Sequence, residues 1–192
     1  MRKGFYFDES SCVGCRTCQV ACVEAHDIPR DVYFRRVSSF VAGSYPNASM
    51  FHISIGCNHC ESPACVANCP SGAMVINEED GTIQHDDEVC IGCKSCVEAC
   101  PYGAPQFRED LEIVQKCDAC IGFREAGEEP VCVAACTMRA LKFGDIDELR
   151  EQYGKDAVSE LPCLPSADTT KPSLLIHAHE TALSDAGAAL TV

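Results

Sequence analysis

The sequence predicts an α+β fold that a large apolar core does not hold together on its own. Three observations carry this. Among 192 residues only 13 are Phe or Tyr and none is Trp, a thin aromatic supply for that length. Cysteines number 17 and fall into close groups, so cross-links must replace part of the missing core. Between the groups lie short alternating segments bounded by turn residues and one capped helical segment, which supply the strands and a helix.

Charge removes one class of function. Fifteen Lys+Arg against 29 Asp+Glu give a net charge of −14, the wrong sign for a nucleic-acid binder. The start of the chain meets Asp8 and Glu9 before any apolar run, so it does not read as a signal peptide. The longest uncharged stretch, Val37 to Cys60, contains Pro46, Asn47, Asn58 and several Ser, so no direct membrane span is expected.

Sixteen cysteines form four quartets. The first is Cys12, Cys15, Cys18 and Cys22; the second is Cys57, Cys60, Cys65 and Cys69, followed by Pro70. The third is Cys90, Cys93, Cys96 and Cys100, followed by Pro101; the fourth is Cys117, Cys120, Cys132 and Cys136. Two residues between cysteines let a tight loop aim successive thiolates at different irons of a cubane. The cysteine after a three-residue gap points away from that loop and ligates the other cluster of a pair. The third quartet matches the C-x₂-C-x₂-C-x₃-C-P run outright, and the first lacks only the proline. The second and fourth each widen one gap, and all four keep the final C-x₃-C.

The alternatives fit less well. A disulfide framework explains the number of cysteines but not the recurring spacing, and an odd count leaves a thiol over. Zinc prefers separated C-x₂-C pairs, which the fourth quartet alone resembles. No GxGxxG or phosphate loop is present to support a nucleotide-dependent enzyme.

Crossed ligation requires the quartets to pair. The second and third both end in Cys-Pro, and the linker between them reads as strand, turn, strand: Met74 to Ile76, Glu78 to Gly81, Thr82 to Gln84. That is the middle of a ferredoxin-like unit. The first and fourth then pair by elimination. The reading is two nested ferredoxin-like [4Fe–4S] domains with an inserted β-hairpin and an extended C-terminal arm. Residues 1–56 and 106–144 form the outer domain, with a hairpin insertion at 32–55; residues 57–105 form the inner domain; residues 145–192 form a short helix and the arm.

Four [4Fe–4S] clusters are expected. One takes Cys12, Cys15, Cys18 and Cys136; a second takes Cys22, Cys117, Cys120 and Cys132. A third takes Cys69, Cys90, Cys93 and Cys96; a fourth takes Cys57, Cys60, Cys65 and Cys100. Binding energy at such sites is folding energy, which offsets the thin core.

The remaining elements follow in chain order. Alternation over Val32–Val37 and Phe51–Ile55 predicts two strands joined across a Gly43–Asn47 turn, either docking a partner or covering the cluster domain. Arg16 and Lys94 follow the second cysteine of their quartets. With Lys116 and Arg139 they are either cations favouring a reduced cluster or solvated loop charges. His59, between Cys57 and Cys60, is placed to hydrogen-bond a cluster sulfur rather than to ligate iron. Asp145 caps a short helix ending at Gly154, with Glu148 three residues on and Ile146, Leu149 and Tyr153 on one face. Pro162, Pro165 and Pro172 then exclude a long helix and predict an arm laid over a neighbour, with Cys163 a spare thiol.

These quartets, with the segments KCDAC, CVAACTMRALKFGDIDELR and TKPSLLI, resemble the iron–sulfur subunits of dimethyl sulfoxide reductase and the wider family of four-cluster subunits that accompany molybdopterin oxidoreductases. The resemblance runs from about Phe5 to Ile176 and shares the nested pairing. It implies a non-catalytic electron-transfer subunit of an anaerobic respiratory complex, between a large molybdopterin catalytic subunit and a membrane anchor or quinone-reactive subunit. The molybdenum bis-pterin cofactor is expected on the partner only. By the same analogy the Cys12 cluster faces the catalytic subunit and the Cys57 cluster faces the membrane partner. The complex is expected at the membrane through its partners, on the outer (periplasmic or extracellular) face, with a cytoplasmic-facing complex as the alternative. A free soluble polyferredoxin is the competing reading, and the substrate and direction of electron flow stay open.

Overall fold

The computed structural model describes residues 1–190; the last two residues of the 145–192 segment lie outside the described residues. In chain order the elements are β1 (Lys3–Asp8), α1 (Thr17–Ala25), β2 (Arg36–Ala42), β3 (Ser49–Ile55), α2 (Ala64–Ala67), β4 (Met74–Ile76), β5 (Ile83–His85), α3 (Ser95–Ala99), β6 (Gln106–Arg108) and β7 (Ile113–Gln115). They continue with α4 (Ile121–Glu125), α5 (Val131–Ala134), β8 (Leu141–Asp145), α6 (Ile146–Tyr153), β9 (Leu174–His177), α7 (Glu180–Ser184) and β10 (Ala188–Leu190). The mixture is α+β, as the sequence predicts.

A three-stranded sheet, β8-β1-β9, gathers three distant segments. β1 runs antiparallel to β8, with Phe5 opposite Phe143, and parallel to β9, with Phe5 opposite Leu174. Phe5, Tyr6 and Phe7 are all buried, so both faces of β1 are covered. One face carries the main core of Phe5, Phe7, Leu141 and Ile176, packed against Cys18 and Cys132. The other receives α6, where Ile146 and Leu149 meet Tyr6 and Leu175, and Tyr153 stacks on Tyr6 with ring centroids 4.7 Å apart. The helix forms where its cap predicts: Asp145 accepts from the amides of Asp147 and Glu148.

The predicted hairpin exists but is shifted. β2 begins at Arg36, four residues after the expected Val32. Val32 and Phe34 instead pack into a core with Cys22, Ile28 and Cys57. Val37 and Ser54, opposite each other in the hairpin, line the Cys12 cavity, while Phe51 and Ile53 on the other face join the same core, so the insertion covers the cluster domain. Its turn holds Gly43 at φ 73° and a cis Tyr45–Pro46 bond, and β10 adds to its β2 edge.

The linker hairpin β4–β5 forms with Ile76 opposite Ile83, one residue later in its second strand than predicted. A second small hairpin, β6–β7, packs Phe107 and Val114 against Met74 and Ile83. The C-terminal arm runs along its own chain around residues 171–173. The Lys171 carbonyl accepts from the Glu61 amide at 2.8 Å, Ser173 N donates to the Asn58 carbonyl at 2.9 Å, and Ser173 Oγ donates to the His59 carbonyl at 2.9 Å. The arm then enters the central sheet as β9, beside Gly4, where a Cβ would run into the Ser173 carbonyl. No helix among the described residues is long and apolar enough to cross a membrane.

Candidate metal centres

Each quartet builds a loop with the same backbone device. The residue before the second cysteine is left-handed in all four: Gly14 (φ 65°), His59 (φ 43°), Gly92 (φ 65°) and Ala119 (φ 59°). In the first and third quartets the residue after it, Arg16 or Lys94, is left-handed too and caps the following helix. Such successive turns aim backbone N–H groups into the concavity, which suits an anion. At His59 and Ala119 a Cβ makes that conformation cost about 1–3 kcal/mol, which the surrounding structure must offset.

The loops bring the cysteines together in four groups. Cys12, Cys15, Cys18 and Cys136 line one cavity, and Cys57, Cys60, Cys65 and Cys100 line another. Burial pushes the Cys22 thiol up to about 12, with repulsion from Cys132 and Cys120 adding to it. Cys117 rises well above the usual thiol range for the same reason, with Cys57, Cys22 and Cys132 beside it. Burial raises Cys96 to about 11 and Cys65 to about 12; Cys69, Cys90 and Cys93 surround the first, and Cys57, Cys100 and Cys60 the second. Each group therefore takes three thiols from one quartet and the last thiol of another. All seventeen cysteines are free of disulfides, and Cys163 stands apart from the four groups, half-buried near Glu9.

The groups lie in a line, because three packing cores each join two of them. Cys18 and Cys132 share the first core, Cys117 and Cys57 the second, and Cys65 and Cys96 the third. The order is the Cys12 group, the Cys117 group, the Cys57 group and the Cys90 group. This corrects the expected placement of the Cys57 group at one end: it shares one core with Cys117 and another with Cys96, and Thr170 of the arm lines its cavity. The ends are instead the Cys12 group, with Cys15, Val13 and Met138 exposed, and the Cys90 group, with Cys93 and Ile91 exposed.

The donor set fits iron–sulfur clusters. Four thiols converge at each group, the pattern of [4Fe–4S] ligation. At the Cys117 group the Asp118 carboxylate and His26 also come within 4.8 Å of Cys120 Sγ, but Asp118 is engaged by the Cys120 and Ile121 amides. Around the Cys57 cavity the Asn58 Nδ2 is buried with no partner, and the buried Tyr102 and Thr170 hydroxyls lie together beside Cys60, donors available to a cluster sulfide. Hydrogen bonds lower the two exposed thiols: Thr17 Oγ1 donates to Cys15 Sγ at 3.4 Å, and Ser95 Oγ lies 3.5 Å from Cys93 Sγ.

The predicted cations divide. Arg16 lines the Cys12 cavity, and Lys94 lies over the Phe107 ring at 3.8 Å. Lys116 is 1% exposed. Arg139 is exposed and bonds the Ala134 carbonyl. His59 is fully buried, with Nδ1 accepting from the Ile83 amide at 2.9 Å. Two residues near the thiols carry no spacing signal. His26 Nε2 lies 3.3 Å from Cys120 Sγ, and Arg35 is buried at 3% exposure. For Arg35 the available signal was a pair of adjacent arginines in an alternating segment, since one of the two must face inward.

Comparison with known proteins agrees with this chemistry. The 4Fe-4S dicluster domain family matches residues 48–146. The chain is 45% identical over 181 residues to the B subunit of anaerobic dimethyl sulfoxide reductase from Escherichia coli, covering 90% of this chain and 87% of that one. It is 42% identical over 182 residues to the protein of the same name from Haemophilus influenzae, with the same coverage. It is 36% identical over 180 residues to the B subunit of polysulfide reductase from Wolinella succinogenes, covering 90% of this chain and 92% of that one. With four convergent cysteine groups and this likeness along nearly its whole length, the chain belongs to the 4Fe-4S dicluster family of iron–sulfur subunits that includes the B subunits of dimethyl sulfoxide reductase.

Proposed function

We propose that this chain is the non-catalytic electron-transfer subunit of a dimethyl sulfoxide reductase-type complex and carries four [4Fe–4S] clusters. Cys12, Cys15, Cys18 and Cys136 hold one; Cys22, Cys117, Cys120 and Cys132 hold the next. Cys57, Cys60, Cys65 and Cys100 hold the third in the line, and Cys69, Cys90, Cys93 and Cys96 the last. When bound, such a cluster takes up and returns one electron at a time.

The polypeptide's part is to hold these sites in sequence, keep water from the middle two, and leave the ends accessible. The single observation that carries the reading is the line of four all-cysteine groups joined by three shared cores. The two cavities are each lined by four thiols drawn from two quartets, which suits a cluster rather than a substrate.

The crossed pairing supports two nested ferredoxin-like units: an outer one with the first and fourth quartets and an inner one with the second and third. The exposed ends then serve as docking points, the Cys12 end for a large molybdopterin subunit and the Cys90 end for a membrane subunit that exchanges electrons with quinones. The molybdenum cofactor belongs to the former partner. The complex is held at the membrane by its partners, on the outer face.

Anaerobic isolation of the chain from a mild-detergent extract, with partners identified and iron and molybdenum counted, tests this. Recovery with a large molybdenum-containing subunit, and about sixteen Fe on this chain, is the expected result. Recovery alone and iron-rich would make it a free polyferredoxin; zinc in place of iron would refute both.

A further inference from the structure

Two buried cations have no carboxylate partner among the described residues. Arg35 is 3% exposed and Lys116 is 1% exposed. Arg35 donates from one guanidinium nitrogen to the Ser54 carbonyl at 3.2 Å and the Ser54 hydroxyl at 3.3 Å. Its guanidinium lies over the Phe5 ring at 4.7 Å, and its Nε has no partner. Lys116 Nζ donates to the carbonyls of Ile83 and Cys117. A charge taken this far from water is not tolerated without a compensating one.

Both cations sit where two cysteine groups meet. The Ser54 hydroxyl that accepts from Arg35 also lies 3.4 Å from Cys18 Sγ, which ties Arg35 to the Cys12 group. On its other side Phe34, the preceding residue, packs with Cys22 and Cys117. Lys116 lines the cavity with Cys57, Cys60, Cys65 and Cys100, and it precedes Cys117, whose carbonyl it bonds. Arg35 therefore stands between the first and second groups of the line, and Lys116 between the second and third.

We propose that Arg35 and Lys116 are the fixed counter-charges of the relay, each shared by two successive clusters, and that together they raise the reduction potential of the Cys117 cluster, which Arg35 flanks and whose Cys117 carbonyl Lys116 bonds. The inference rests on the four-cluster reading above. Reduction adds one electron and one negative charge to a group that is already anionic, so a cation held in a poorly screened interior favours the reduced form. The electron is compensated by standing charge, and no proton has to follow it. The thiols report the same field. Arg35 works against the burial that raises Cys18, Cys22, Cys117 and Cys120, and Lys116 does so at Cys65. Arginine suits the first position because its charge cannot be titrated away.

The test uses the full chain in its anaerobically isolated complex, with redox titration followed by electron paramagnetic resonance and iron counted in every sample. Arg35→Gln is expected to lower the potentials of the Cys12 and Cys117 clusters, and Lys116→Gln those of the Cys117 and Cys57 clusters. One cluster is thus moved by both changes, and the Cys90 cluster by neither. The shift read is at least tenfold in the oxidised-to-reduced ratio at fixed ambient potential, about 59 mV for a one-electron couple. Full iron with all four potentials unmoved would overturn the proposal while leaving the cluster assignment standing; absence of iron in the unaltered chain would instead overturn the assignment. Where a Gln variant loses iron, Arg35→Lys and Lys116→Arg decide, because they keep charge and change the donor geometry. Retention of all clusters near the original potentials supports the proposal. Loss of iron from these variants as well shows that the hydrogen-bonding shape, not the charge, is required, and overturns it.

Discussion

His59 Nε2 lies 3.9 Å from Cys117 Sγ, although the histidine belongs to the loop of the second quartet and the cysteine opens the fourth. The Ile83 amide donates to Nδ1 at 2.9 Å, which leaves the ring proton on Nε2, pointed at the sulfur. Burial, with Lys116, Arg124, Arg35 and Arg2 around it, holds the imidazole well below its usual pKa and therefore neutral. One side chain thus links the Cys57 loop to a thiol of the neighbouring group.

Replacing His59 by Leu removes an N–H···S contact and leaves the buried Ile83 amide unpaired. The expected outcome is a lower potential for the Cys117 cluster alone, with a stability loss of about 1–3 kcal/mol. Redox titration and denaturation followed by loss of visible absorbance check the two effects separately. Unchanged potentials would reduce His59 to a packing residue.

Crossed ligation makes a sharper prediction at Cys22. It follows Cys18 by one helical turn of α1, yet its neighbours are Cys120 and Cys132. Cys22→Ser should therefore damage the Cys117 cluster, by loss of one iron or of the whole group, and spare the Cys12 cluster. Cys136→Ser should do the reverse. Iron counts with low-temperature spectra of the two variants distinguish this from ligation within each quartet.

Much of this was legible in the sequence because cysteine spacing is local geometry: x₂ gaps dictate loops and x₃ gaps dictate crossing. The cap at Asp145 and the β4–β5 linker were legible for the same reason. The central sheet was not. β1 is covered on both faces and so shows no alternation, and its partners β8 and β9 lie more than 130 residues away. Arg35 was hidden inside an alternating segment whose strand starts one residue later. The order of the groups was hidden too, since the cores joining them draw on every part of the chain.

Asp80 gives the pH prediction. It accepts from the Thr82 hydroxyl at 2.6 Å and amide at 2.9 Å and pairs with Arg124 at 2.8 Å, while its carbonyl accepts from the Lys3 amide at 2.7 Å. Burial opposes ionisation, but the Thr82 and Arg124 contacts outweigh it and hold the carboxyl below its usual range. The folded state thus favours the ionised form. Its contribution is full above the unfolded pKa of about 3.9 and is lost as pH falls through the lower folded value. Asp80→Asn should cost about 1–2 kcal/mol at neutral pH, a charged hydrogen-bond loss discounted for screening, and progressively less in acid. Equal losses at pH 7 and in strong acid would contradict the pairing.

Gly92 marks the third quartet's loop. At φ 65° a Cβ would meet the Glu112 carbonyl of the β6–β7 turn. Gly92→Ala should therefore displace the loop that carries Cys90 and Cys93 and lower iron occupancy at that end, leaving the other three groups loaded. Full occupancy with unaltered spectra would show that the turn yields without cost.

The central claim is that sixteen of the seventeen cysteines form four [4Fe–4S] sites. Iron and acid-labile sulfide, counted per chain on anaerobically isolated protein with Mössbauer spectra of the same sample, test it directly. The account predicts about sixteen of each, all in four-iron clusters. About eight iron atoms, or zinc at any of the four groups, would contradict it.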